Sequence, residues 1–171
     1  QINGLQNLKV LVVGETIVDQ YVFCEALGKS GKEPVLVLRD LKMEQYAGGA
    51  AAIARHLSDF CGTVSLLSML GENKEYEKFI LESLPNNIKP YFIYKEGSPT
   101  ITKKRYVDYI SNSKSLGVYS INDSQMNGEN QNQLHAYLDE LIPKHDLVIV
   151  SDYGHGFISR KTANHISKKS I

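Results

Sequence analysis

The 171-residue sequence predicts an α/β fold: a mainly parallel sheet covered by helices on both faces, with a second, smaller sheet beside it. Three observations carry this. Residues 10–13 (Val-Leu-Val-Val), 64–67 (Val-Ser-Leu-Leu) and 147–150 (Leu-Val-Ile-Val) are short, largely aliphatic runs with no steady polar alternation. Strands read this way when helices cover both of their faces. Between them lie segments with helical spacing, so strand and helix alternate as in βαβ units. Two further regions, about 20–42 and 99–121, break that rhythm and read as antiparallel hairpins.

In chain order, residues 10–13 form the first core strand, running into Gly14-Glu15-Thr16-Ile17-Val18-Asp19. A turn over residues 28–32 leads to a second extended run, Pro34-Val35-Leu36-Val37-Leu38. Gly48-Gly49 opens a helix in which Ala50, Ile53, Ala54 and Leu57 fall at i, i+3, i+4 and i+7. Tyr76, Phe79, Ile80 and Leu84 predict another helix, with Asn73 as its N-cap. Residues 99–121 hold two extended runs joined by Ser111-Asn112-Ser113-Lys114. Leu134, Tyr137, Leu138 and Leu141 repeat the helical spacing, and Pro143 closes that segment. The whole of residues 1–171 reads as part of one domain.

Composition excludes several classes. Lys plus Arg equals Asp plus Glu, 19 each, so nothing global draws the chain to nucleic acid or an anionic membrane. No apolar run approaches the roughly 20 residues of a membrane helix, and residues 1–8 lack a signal-peptide core. The expected location is the cytoplasm, where Cys24 and Cys61, in no CxxC pattern, read as reduced packed thiols. No metal-site spacing is present.

Four constellations sit at strand ends or helix starts, where open α/β sheets bind ligands. Asp19 can accept hydrogen bonds from vicinal hydroxyls, or it can close a turn on its own backbone. Gly48 and Gly49 let backbone approach a ligand, or let the helix pack closely on the sheet. They form neither a GxGxxG nor a P-loop. Thr100, Thr102, Lys103, Lys104 and Arg105 lie on an extended run whose alternation separates Lys103 and Arg105 from Thr100, Thr102 and Lys104. The arginine fork suits phosphate or carboxylate; the alternative is a charged, guarded edge strand. Asp152 and His155, in Ser151-Asp152-Tyr153-Gly154-His155-Gly156, can meet magnesium or a phosphate, or can be ordinary loop residues.

Taken in order, these residues resemble the amino-terminal half of a ribokinase-like carbohydrate kinase of the phosphofructokinase-B type. Within it they are most similar to the heptose 7-phosphate kinase branch found in ADP-heptose synthases. The resemblance rests on residues 10–14 through Asp19, on Gly48-Gly49-Ala50-Ala51, on Pro99 to Lys103 with Arg105, and on Ser151-Asp152-Tyr153 with Gly156. It implies a Rossmann-like core under a small β-sheet lid, with transfer of the ATP γ-phosphoryl group to a sugar hydroxyl with Mg2+. It also implies substrate contacts from Asp19, Gly48, Gly49, Thr100, Thr102, Lys103 and Arg105, and cofactor contacts from Asp152 and His155.

Two positions and one missing motif depart from the family pattern. Ala52 stands where an asparagine is usual, and His155 where the heptose kinases carry lysine. The family's general base lies in a Gly-Ala-Gly-Asp helix start, which these 171 residues do not contain. The expectation is therefore a truncated kinase domain, inactive alone, with its base beyond residue 171. Two alternatives remain: another sugar or nucleoside kinase of the same fold, or a non-catalytic sugar-binding module. In residues 35–38 both alternating faces are aliphatic, so the small sheet is expected to pair with a second copy, as related kinases often do through their lids.

Overall fold

The computed structural model describes residues 2–169. Seven strands and four α-helices follow in the order β1 (Lys9–Lys29), β2 (Leu36–Gly49), α1 (Ala50–Ser58), β3 (Thr63–Gly71), α2 (Glu77–Ser83), β4 (Ile88–Lys95), β5 (Thr102–Asp108), β6 (Lys114–Ser120), α3 (Gly128–Leu141), β7 (Leu147–Ser151) and α4 (Arg160–Lys169). The predicted α/β class is the observed one.

The organising element is β1, 21 residues long. Its first part pairs in parallel with β3 through residues 9–15 and with β7 through residues 10–14. β4 extends this sheet beyond β3, also in parallel. The second part of β1 pairs antiparallel with β2 and, through residues 18–24, parallel with β5, whose other edge carries β6. One strand is thus central to both the core sheet and the lid.

Alternation along the core half explains its unbroken apolar sequence. Val10 and Val12 pack with Ala50, Ala51 and Ala54 of α1. Leu11 and Val13 turn the other way, against Leu134, Leu138 and Leu141 of α3 and Ile166 of α4. Both faces must be apolar because both are covered by helices.

Three expectations are corrected, and one strand is additional to them. The first strand does not end near residue 14 but runs on through Asp19 to Lys29, so Asp19 is a strand residue with pairing on both sides rather than a turn. Asn73 does not cap α2; the helix is entered through Tyr76, in the left-handed region at φ 65° and with no side-chain cap. β7 is not covered on both faces, for Leu147 is 45% and Val150 43% exposed. β4 was not anticipated: Pro90 and its neighbouring polar and aromatic residues blur the strand pattern, yet an edge strand tolerates a proline.

The two hairpins form as expected. β1 and β2 are joined by residues 30–35, where Ser30 N–H donates to the Val35 carbonyl at 2.9 Å, just after Gly28 at φ 96° near the end of β1. Between β5 and β6, Asp108 Oδ1 accepts from the Ser111 N–H and hydroxyl, both at 2.7 Å. α3 is capped by Asn127, whose Oδ1 accepts from Asn130 N–H at 2.8 Å.

Two predictions follow from this packing. Leu11→Ala should destabilise the 171-residue chain by about 2–5 kcal/mol in urea unfolding, while Leu147→Ala should cost less than about 1 kcal/mol. Equal losses would mean that β7 is as enclosed as β1. The second concerns the α3–α4 contact, where the His135 and His165 rings stack at 4.5 Å and His135 Nε2 lies 3.2 Å from Thr162 Oγ1. Burial, then the charges of His165 and Lys161, hold His135 below its ordinary value, opposed by Asp139. The folded chain then binds fewer protons than the unfolded one, so this contribution to stability falls as pH drops below about 6.5. Replacing His135 with Gln should flatten the melting-temperature profile between pH 7 and 5; an unchanged profile would remove His135 as its cause.

Candidate functional site

The switch of β1 from core to lid brings Asp19 beside the end of β2 and the start of α1. Asp19 is opposite Tyr46 on β2 and Lys103 on β5. Its Oδ1 accepts from Arg105 Nη1 at 2.5 Å, with side chains 24% and 18% exposed. The guanidinium also lies 5.5 Å from the Tyr21 ring and 5.7 Å from the Tyr119 ring. Asp19 holds Arg105 still more firmly in its charged form, against the opposing effect of burial. Two residues 86 positions apart, expected as separate ligand contacts, are therefore partners.

The glycine pair is there for space. A Cβ on Gly48 would overlap Asp19 Oδ2, and one on Gly49 would overlap the Glu15 carbonyl. Gly49 is also at φ 61° as it opens α1, a conformation that a side chain disfavours. The carboxylate of Asp19, its second oxygen over Gly48, and the first turn of α1 thus share one corner. Lys103, half-buried, enters the same lid from β5.

Thr100 and Thr102 stand apart. The buried Thr100 hydroxyl accepts from Gly71 N–H at 2.9 Å and donates to the Glu75 carbonyl at 2.8 Å. Thr102 donates to the Thr100 carbonyl at 3.1 Å and faces the side of β5 opposite Arg105. The Thr100 hydroxyl ties the lid to the end of β3 and the loop after it, whereas the Thr102 hydroxyl bonds only within its own segment.

At the carboxyl end of β7, Asp152 is exposed, and its Oδ1 accepts from Gly154 N–H at 2.9 Å. The His155 ring is buried, with Nδ1 at 2.7 Å from Asp123 Oδ1 and Nε2 enclosed without a hydrogen-bond partner. Beside it lie two buried ionisable residues that the sequence reading passed over, Glu15 and Lys95. The signal for Glu15 was present: a carboxylate directly after a β-strand glycine, at the end of an apolar run.

A parallel sheet with polar groups at its carboxyl edge, and a lid hinged on its central strand, is the layout of a lidded α/β protein that takes a small molecule. The chain belongs to the pfkB family of carbohydrate kinases, which matches residues 7–164. It is similar to the bifunctional protein HldE of Campylobacter jejuni, strain RM1221, at 30% identity over 165 residues, 96% of this chain and 34% of that protein. Its fold resembles phosphofructokinase-2 from Escherichia coli in complex with fructose-6-phosphate, with TM-score 0.65, 13% identity, and coverage of 95% of this chain and 51% of that one. It also resembles Arabidopsis thaliana ribokinase complexed with ribose and ATP, with TM-score 0.58, 17% identity, and coverage of 96% and 52%. The chain thus spans about a third of that curated relative and half of these solved structures.

The ion pair gives the test of this corner. A double-mutant cycle with Asp19→Ala and Arg105→Ala, read by urea unfolding, should return a coupling of about 1 kcal/mol that shrinks in high salt, as for a partly solvated pair. A coupling near zero would mean that the two side chains do not meet in solution.

Proposed function

We propose that the intact protein is an ATP-dependent kinase of a sugar phosphate of the heptose 7-phosphate kind. The observation that carries this reading is the Asp19–Arg105 pair above Gly48 and Gly49. A carboxylate with one oxygen still facing the glycine corner can accept hydrogen bonds from sugar hydroxyls. The guanidinium beside it, with Lys103, can bind a phosphate already on the sugar. Membership of the pfkB family supports a sugar as substrate and transfer of a phosphoryl group as the reaction.

On this reading Asp152, with an exposed carboxylate at the sheet's carboxyl edge, is the group that fits a magnesium ion held mostly by phosphate oxygens and water. Such an ion would neutralise charge on the nucleotide phosphates when bound. Among the described residues, no cluster of three or more His, Cys, Asp or Glu is placed to hold a metal without them. The general base would come from residues other than these 171, which contain no Gly-Ala-Gly-Asp. The chain alone is then expected to be inactive and its setting cytoplasmic. Among the described residues no helix is long and apolar enough to cross a membrane.

The lid also bears on assembly. Leu36, Leu41, Met43, Leu116 and Val118 are all exposed on it, an apolar surface that a second copy would cover. The rival reading, a sugar-binding module without catalysis, predicts the same ligand affinity but no turnover in the intact protein.

Calorimetric titration of the intact protein with heptose 7-phosphate and with the unphosphorylated heptose tests the site. Arg105→Ala should weaken the phosphorylated sugar by about 10- to 100-fold, the size of a charge-assisted contact, and the free sugar far less. Equal losses would reject the phosphate role, and absence of ATP turnover with any sugar phosphate would favour the binding module.

A further inference from the structure

Glu15 follows Gly14 on β1, and it is completely buried at 0% exposure. A buried carboxylate without partners is costly, and among the described residues no Lys, Arg or His forms an ion pair with it. Its partners are backbone amides. Oε2 accepts from Tyr153 N–H at 2.8 Å, and Oε1 from His155 N–H at 3.1 Å and Phe157 N–H at 3.3 Å. Every second amide of the loop after β7 turns inward, and Gly154 and Gly156, at φ 80° and 87°, allow the backbone to do so.

The same loop is gripped from its other side. Lys95, 2% exposed at the end of β4, donates to the His155 carbonyl at 3.1 Å and the Asn122 carbonyl at 2.5 Å. The amide and the carbonyl of His155 are thus held by two oppositely charged residues from two different strands. Burial lowers the affinity of Lys95 for its proton, and the charges of Asp123 and Glu15 oppose that. Glu15 reaches the sugar-side corner as well, since its carbonyl is the atom that a Cβ on Gly49 would strike.

We propose that Glu15 is a positioning residue: by holding the amides of Tyr153, His155 and Phe157 it fixes the loop of residues 152–157 against β1, and so sets where Asp152 stands relative to Asp19. The part of this that concerns nucleotide binding rests on the kinase reading above; the part that concerns the loop does not.

The test uses the intact protein and the variant Glu15→Gln. A glutamine keeps one accepting oxygen but presents an NH2 group where Tyr153 N–H must be accepted. Without ligand, amide hydrogen exchange over residues 153–157 should quicken by at least about tenfold, as expected for loss of a hydrogen bond to a charged group, and most at Tyr153. Exchange in residues 64–70 should stay at the wild-type rate. Lys95→Met, which releases the His155 carbonyl but keeps the apolar stem, should show the same local pattern if Glu15→Gln fails to fold. In turnover, the KM for MgATP should rise several-fold while the KM for the sugar phosphate holds. Wild-type exchange in the loop overturns the proposal, and so does acceleration spread equally over residues 64–70. A looser loop with both KM values unchanged overturns the part that concerns Asp152 and nucleotide binding. A wild-type protein without turnover would reject the kinase reading, and the exchange pattern would still decide the role of Glu15.

Discussion

The structure depends on one continuous strand. β1 serves as an inner strand of the core sheet through its first residues and as an inner strand of the lid through its later ones. The exchange of neighbours happens over residues 14–18, where β3 and β7 give way to β2 and β5. Lid and core therefore share backbone rather than a flexible linker. Side chains alternate along a strand, so a slip of one residue would send Asp19 to the other face of the lid and Glu15 out of the core. The apolar residues at 10–13, each fixed against its own helix layer, hold that register.

The chain places charge at two depths on this strand, and each depth is handled differently. Asp19 and Arg105 meet where solvent still reaches both, so their attraction is modest and screened. Glu15 and Lys95 are almost fully enclosed, where an uncompensated charge would be severe. Both are compensated by backbone: three amides for the carboxylate and two carbonyls for the ammonium. Removing the outer pair alters a surface corner; removing an inner member leaves backbone groups of the 152–157 loop unpaired inside the protein.

Much of the fold was legible because burial writes itself into aliphatic runs. Residues 10–13 and 64–67, and the helical spacing at 134–141, needed no tertiary knowledge. β4 and the unbroken run of β1 through residues 14–19 were not legible, because an edge strand and the junction between two sheets both carry polar residues. Asp19 was recognised, but as a residue beyond its strand, since Gly14-Glu15-Thr16 looks like the end of an apolar run. In fact Glu15 and Thr16 are polar residues buried with partners, Thr16 with Ser68 at 2.8 Å. Pairings across 86 and about 140 positions, such as Asp19 with Arg105 and Glu15 with the 153–157 amides, leave no local pattern at all.

The two sides of the corner also differ in how firmly they are prepared for a ligand. The loop after β7 has its inward amides and the His155 carbonyl already engaged, so its backbone keeps its shape without help from a bound anion. The lid is looser by construction. β6 is exposed along its whole length, and β2 is mostly exposed away from its last residues, so few contacts resist displacement of the outer lid. Asp19 and Arg105 sit where these regimes meet, on strands that begin at the buried core and run into the more exposed lid sheet. A ligand that bridges them would draw on a preorganised floor and would order mainly the roof.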